Sequence, residues 1–344
     1  MAELKPTYGN FAARGIVTGL TKENAFTEGQ KEGGNPWKKV QFGLKVSETQ
    51  FVYVELMGSK TESVRYVFRN PETKKLVNDE YYTVLWKDRY KKDKVKENYE
   101  LSMGVTVGLE RDEEGKKKDN QVLTAYDAVD YIKKYLKDGD SVYVRGQLQI
   151  TEYNGKPQEK YVIQKIYLTS KPVDFKAEDF EVEASFNQEI VFLNNFEDIK
   201  GRTLINTNII YKKDGVTAFV PYTFVIDPEK YKNDEKKYAS IKKLVESFKK
   251  LEYGSTIRVY GNINHGAILQ QEEIDDDFGG FTPKGQEQYI RNTVKELEIT
   301  GADGKTLIRG LYTEEDFYVN NDNPFAESNN NEKHIDIDDD DLPF

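Results

Sequence analysis

The 344-residue sequence contains no cysteine. That excludes a disulfide framework, a cysteine-based zinc site and thiol catalysis. Histidine is nearly as scarce. Only His265 and His334 occur, too few for a Ser-His-Asp triad or a histidine-ligated metal. No apolar run approaches the roughly 18 residues of a membrane span, and Met1 to Asn10 lacks a signal-peptide hydrophobic segment. The expectation is a cytoplasmic protein, or one of the host cytoplasm if virally encoded, without membrane contact. Two further patterns mislead. Gly301-Ala-Asp-Gly304-Lys305-Thr306 imitates the end of a phosphate-binding loop, but Ile299 stands where that motif needs glycine. The acidic run Glu272 to Asp277 lacks the alternating spacing and glycine of a calcium loop. No catalytic constellation, metal site or cofactor is expected, so the chain does not read as an enzyme.

A basic surplus is also missing. There are 60 acidic residues against 50 basic ones, for a net charge of −10. Residues 311–344 hold eleven of the acids and only Lys333 among the bases, which leaves 49 of each in the body. The body is therefore formally neutral and free to carry local basic patches. What is abundant is tyrosine, with 23 residues, a residue enriched in strands and one on which bases stack.

Along the chain, apolar alternation predicts strands at Arg14–Leu20, Val40–Val46, Phe51–Leu56 and Tyr81–Trp86, with 57–80 an insertion and 104–120 a polar loop. A helix is expected over Thr124–Lys137, ended by Gly139. Strands Ser141–Thr151 and Lys160–Thr169 follow, joined by the turn Asn154-Gly155-Lys156-Pro157. The second half repeats this plan. Tyr222–Ile226 matches Tyr82–Trp86, and Asp227-Pro228 opens a helix whose face is Tyr238, Ile241, Leu244, Val245, Phe248 and Leu251. Leu136, Gly139, Val142, Val144, Gly146 and Leu148 recur as Leu251, Gly254, Ile257, Val259, Gly261 and Ile263 at one offset of 115. Ile163, Ile166 and Leu168 are matched to Val294, Leu297 and Ile299. The chain reads as a duplication. Strands, one helix, then two strands fit an oligonucleotide-binding (OB) barrel, with its helix between the third and fourth strands. The predicted fold is mainly β: two tandem OB-fold barrels of five strands plus one helix each, over 1–175 and 176–312, then a disordered acidic tail at 313–344.

The last residues are Asp336-Ile-Asp-Asp-Asp-Asp-Leu-Pro-Phe344. So dense a run of like charge stays solvated, yet it ends in an apolar triplet and a carboxylate, a ligand for a basic pocket with an apolar floor. Asp338 to Phe344 resemble the acidic run and Pro-Phe tip of bacterial and phage single-stranded DNA-binding proteins. Asn323-Pro324-Phe325-Ala326 looks like the linker motif of Gram-positive members. Tyr135 to Ile150, followed by Glu152-Tyr-Asn-Gly155, resembles the family's helix end, strand and turn, over about 85 residues (86–170). The resemblance implies that Asp338, Asp339, Asp340, Asp341, Leu342, Pro343 and Phe344 dock replication, recombination or repair proteins. The resemblance mixes bacterial and phage features and duplication is unusual for the chromosomal proteins, so a phage origin stands open beside a bacterial one. Single-barrel members form tetramers, so a fused pair supplies two of four barrels as a homodimer, or acts alone as a monomer.

Holding a single strand without sequence preference takes cations along the phosphates and rings for the bases. Trp86, Arg89, Tyr90, Lys91 and Lys92 alternate rings and charges at a strand end. Trp37, Lys38 and Lys39 do so at a strand start. Val142 and Val144 point inward, so Tyr143 and Arg145 point out; Arg258 and Tyr260 do the same in the repeat. Phe51 and Tyr53, and Tyr211 with Lys212, complete the set. The expected function is coating single-stranded DNA, weakly dependent on sequence and steeply salt-sensitive. The competing expectation is a protein-interaction adaptor or an acidic DNA mimic that does not itself bind DNA.

Overall fold

The computed structural model describes residues 2–30, 33–198, 201–213, 215–271 and 289–318. The protein is mainly β. The first half carries β1 (Gly9–Thr18), β2 (Phe26–Gln30), β3 (Pro36–Lys45) and β4 (Phe51–Ser59). Next come β5 (Ser63–Arg69), β6 (Leu76–Leu85), β7 (Tyr99–Leu101), β8 (Val105–Gly108) and β9 (Gln121–Leu123). Helix α1 (Ala125–Tyr135), β10 (Ser141–Tyr153) and β11 (Lys156–Leu168) complete it. The second half carries β12 (Ala184–Glu197), β13 (Thr203–Lys213), β14 (Val216–Ile226), α2 (Glu235–Phe248), β15 (Thr256–Gln271), β16 (Tyr289–Ile308) and the short α3 (Glu315–Tyr318).

Period-two patterning sets the faces. On β4, Val52, Val54 and Leu56 are buried while Tyr53 between them is 66% exposed. Each fully buried aliphatic side chain of this kind contributes about 1.5–3 kcal/mol. Strand β1 pairs with β10, β10 with β11, β11 in parallel with β4, β4 with β3, and β3 returns to β1. In the second half the circuit runs β12, β15, β16, β14 and β13, again with one parallel step, between β16 and β14, and a return to β12. The two circuits share one core cluster.

They are joined through β1 and β12, which pair antiparallel from Gly9↔Gln188 to Ala13↔Ala184. Phe11 opposes Phe186 at the centre. Phe11 also opposes Gly146, and Phe186 opposes Gly261, so an approximate two-fold axis passes between the two rings. At each glycine the register shifts by a bulge. A Cβ on Gly146 would lie 1.8 Å from the Val162 carbonyl oxygen, and one on Gly261 1.8 Å from that of Glu298. Gly146 and Gly261, one of the two glycine pairs shared at the 115-residue offset, are thus fixed by backbone contact.

Several local expectations need correction. Residues 57–59 of the expected 57–80 insertion continue β4, and 63–101 carry a separate three-stranded sheet ordered β6-β5-β7. The polar head of β6, Asn78-Asp79-Glu80, hides its start from an apolar pattern. Residues 105–108 are not loop: Val105 and Val107 are buried, as is Leu109 just after them, and β8 pairs in parallel with β11. The Tyr82–Trp86 match to Tyr222–Ile226 fails, because β14 occupies the place of β4, not of β6. The fifth-strand match is five residues off. Ile163 opposes Gly146 and Ile299 opposes Gly261, which gives an offset of 136. The hairpin turn is only Asn154-Gly155, both with positive φ.

Nor does the chain leave the body at Thr313. The Thr313 amide and hydroxyl both donate to Asp316 Oδ2, and the Ala2 amide donates to Asp316 Oδ1 at 2.7 Å. Leu4, Val191, Ile210, Tyr312 and Phe317 form a small apolar cluster around this contact.

Candidate nucleic-acid interface

The outward face of β3 and β4 forms a cleft of about 700 Å³ between the loop after β1 and the β10–β11 hairpin. Lys22, Lys39, Phe51, Tyr53, Tyr153 and Lys160 are among its lining residues. The alternation that buries Val52 and Val54 turns Phe51 and Tyr53 outward. Opposite Tyr53 stands Gly43, whose lack of a side chain leaves the ring uncovered. Trp37 has the same arrangement on this face. It opposes Gly29, and its ring lies where a Cβ on Gly29 would meet it at 2.9 Å. Lys39 Nζ sits 2.7 Å from Glu55 Oε2. Of the residues expected from sequence, Trp37, Lys39, Phe51 and Tyr53 therefore share one face. Lys22, Tyr153 and Lys160 join them without having been singled out.

Other candidates lie elsewhere. Lys38 turns from the cleft to α1, with Nζ 2.7 and 2.6 Å from the two Asp130 oxygens and 4.7 Å from the Tyr126 ring centroid. The Asp130 bond raises the Lys38 pKa above its ordinary value. Trp86 packs edge-on to Tyr126. The Arg89 guanidinium covers the Trp86 ring at 4.3 Å and donates to both oxygens of Asp127 at 2.7 and 2.8 Å. The Tyr90 hydroxyl donates to Asp127 at 2.6 Å and accepts from the Thr124 amide at 2.8 Å. Thr124 is the N-cap of α1, so Arg89 and Tyr90 act as buttresses of a helix start. Burial, then the Asp127 bond, pushes the Tyr90 hydroxyl up to about 12. Burial opposes ionisation of Asp127, but Arg89, Tyr90 and Thr124 together lower its pKa. Lys91 pairs with Asp88 at 2.7 Å, and Lys92 is exposed beside it.

Tyr143 and Arg145 point outward from β10, opposite Tyr167 and Lys165 on β11. Arg258 opposes Asp303, and the Tyr260 ring lies over Gly301, its cross-strand neighbour. Tyr211 and Lys212 line a smaller cleft of about 240 Å³ where the halves meet, and the Tyr211 hydroxyl accepts from the Glu152 amide at 3.4 Å.

One buried group was missed by sequence. Glu159, also on the cleft wall, accepts from the hydroxyls of Tyr161 at 2.6 Å and Tyr222 at 2.8 Å. Its Oε2 lies 3.0 Å from His265 Nε2, and Lys295 Nζ lies 3.7 Å from Oε1. Burial would raise its pKa, but His265, Lys295 and Tyr161 outweigh it and hold the carboxyl at about 2. Burial and the same carboxylate push both tyrosine hydroxyls well above their ordinary value.

Among the described residues, no group of three or more His, Cys, Asp or Glu is placed to hold a metal ion, and no helix is long and apolar enough to cross a membrane. The acidic tip, Asp338 to Phe344, lies outside the described residues.

A comparison with curated protein sequences returns no match. Among solved structures, a deletion variant of the single-stranded DNA binding protein from Thermus aquaticus aligns with a TM-score of 0.35 and 11% identity. That alignment covers 90% of this chain and 98% of the other. The wild-type protein from the same organism aligns with a TM-score of 0.34 and 9% identity, over 87% and 93%. The family model described as YorF matches residues 10–334. On that match, the chain belongs to the YorF family.

Proposed function

We propose that the chain binds single-stranded DNA in the cleft on the outward face of β3 and β4. The observation that carries this reading is the pair Phe51 and Tyr53. They are adjacent outward rings on a strand whose partner offers glycine opposite Tyr53, with Lys22, Lys39 and Lys160 around them. Bases stack on the rings at about 1–3 kcal/mol each, and the ammonium groups meet the phosphates. Binding of this kind takes any base, because every base has a flat face.

We read each half as a five-stranded OB barrel. Support comes from the closed order of pairing, the one parallel step between the third and fifth strands, and the helix between the third and fourth. In that fold, the second and third strands and the loops beside them bind oligonucleotides. The acidic tip is read as a docking segment for replication, recombination or repair proteins, with its aspartates competing for the same cations when the cleft is empty.

Filter binding of labelled oligo-dT at about 50 mM salt tests this, since electrostatic binding is strongest at low salt. Retention that falls steeply as salt rises, with quenching of Trp37 fluorescence, is the expected result. An adaptor or DNA mimic retains no oligonucleotide at any salt.

A further inference from the structure

Resting on that reading, we infer that each chain carries one strand-binding face, on the first half, and that the matching face of the second half makes no contact with DNA. Gly146 and Gly261 anchor the two halves, because each sits at a bulge and opposes Ile163 or Ile299. From there Val162 corresponds to Glu298. The parallel steps Val162↔Glu55 and Glu298↔Val225 then equate Glu55 with Val225. The hairpins carry the register on: Gly43↔Tyr53 corresponds to Asn206↔Thr223, and Lys45↔Phe51 to Asn208↔Pro221. A separate seam agrees, since Val17↔Leu44 corresponds to Phe192↔Thr207.

Through this register, the two rings and the open glycine at the centre of the first face are replaced in the second. Tyr53 becomes Thr223 and Phe51 becomes Pro221, so both stacking rings are gone. The open place beside Tyr53, left by Gly43, is filled by Asn206. Thr223 Oγ1 donates to Asn206 Oδ1 at 2.8 Å, and Asn206 Nδ2 donates to Asn194 Oδ1 at 2.8 Å, a ladder of amides bonded to one another. The cations change as well. Lys160 corresponds to Glu296, and Lys39 to Arg202, whose guanidinium is held by Asp198 at 2.8 Å and Glu296 at 2.7 Å. Arg202 is thus neutralised by two carboxylates, one of them the residue that stands in the place of Lys160. Among the described residues, the counterparts of Phe51, Tyr53 and Gly43 make a self-satisfied polar surface without a ring, and an exposed ring on the same face, Phe196, stands on β12 two residues beyond Asn194. The second half supports the first through β12 and the Glu159 contact.

The test is photo-crosslinking of the full chain to oligo-dT carrying bromodeoxyuridine, followed by peptide mapping, alongside titrations of Tyr53→Ala and Thr223→Ala. Crosslinks within 37–59 and none within 203–226, with at least a fivefold loss of affinity for Tyr53→Ala and less than twofold for Thr223→Ala, support the inference. Comparable labelling of 203–226 overturns it while leaving single-stranded DNA binding intact. So does a bound oligonucleotide that labels neither face. A wild-type chain that binds no oligonucleotide overturns both this inference and the proposed function.

Discussion

Glu159 of the first half and His265 of the second face each other across the seam, Oε2 to Nε2, at 3.0 Å. The Glu159 pKa is held at about 2, against an ordinary value of 4.5. A depressed carboxylate binds fewer protons folded than unfolded. Its contribution is therefore complete above about pH 4.5 and is lost as pH falls towards 2. Glu159→Gln should cost on the order of 1–3 kcal/mol at pH 7 and flatten the stability profile in that acid window. Denaturant unfolding of both proteins from pH 2 to 7 checks this, and parallel curves would contradict it.

At the two bulges, Gly146→Ala and Gly261→Ala each drive a methyl group into a carbonyl oxygen of the neighbouring strand. Both should destabilise by about 2 kcal/mol or more, and to similar degrees because the contact distance is the same. Thermal unfolding of the two variants measures it. A mild effect at either site would mean that the strand pair opens there at little cost.

Arg89→Ala separates two readings of one residue. As a buttress of the α1 start, Arg89 should cost about 1–2 kcal/mol of stability when removed, while oligo-dT affinity changes less than twofold. A large loss of affinity in a stably folded variant would return Arg89 to the DNA path.

Tyr53→Ala removes an exposed ring that stacks on none of its own neighbours. Unfolding should be nearly unchanged, and oligo-dT affinity should drop roughly five- to hundredfold, the value of one stacked base. Fluorescence titration at fixed salt gives the ratio.

Tyr53 and the glycine pairs were legible in the sequence for a simple reason. Val52 and Val54 leave Tyr53 only one direction, and Gly146 and Gly261 answer to a backbone contact that tolerates no other residue. The fifth strand was misaligned because the spacing of Ile163, Ile166 and Leu168 recurs at Val294, Leu297 and Ile299, whereas register is set by hydrogen bonds to β15. Trp86, Arg89 and Tyr90 show another limit. Alternating rings and cations suit a DNA groove or a helix cap equally, and the partner that decides, Asp127, lies 37 and 38 residues from Tyr90 and Arg89. Lys22, Tyr153 and Lys160 converge only once the chain has closed on itself, so no local pattern marks them.

The antiparallel contact between β1 and β12 has the form that two identical subunits would make around a two-fold axis. Here a covalent connection joins the participants, which fixes their mutual concentration however thin the solution. Subunits held by such a contact part on dilution; these halves cannot. The edge of β1 that could have recruited another molecule is already occupied from within.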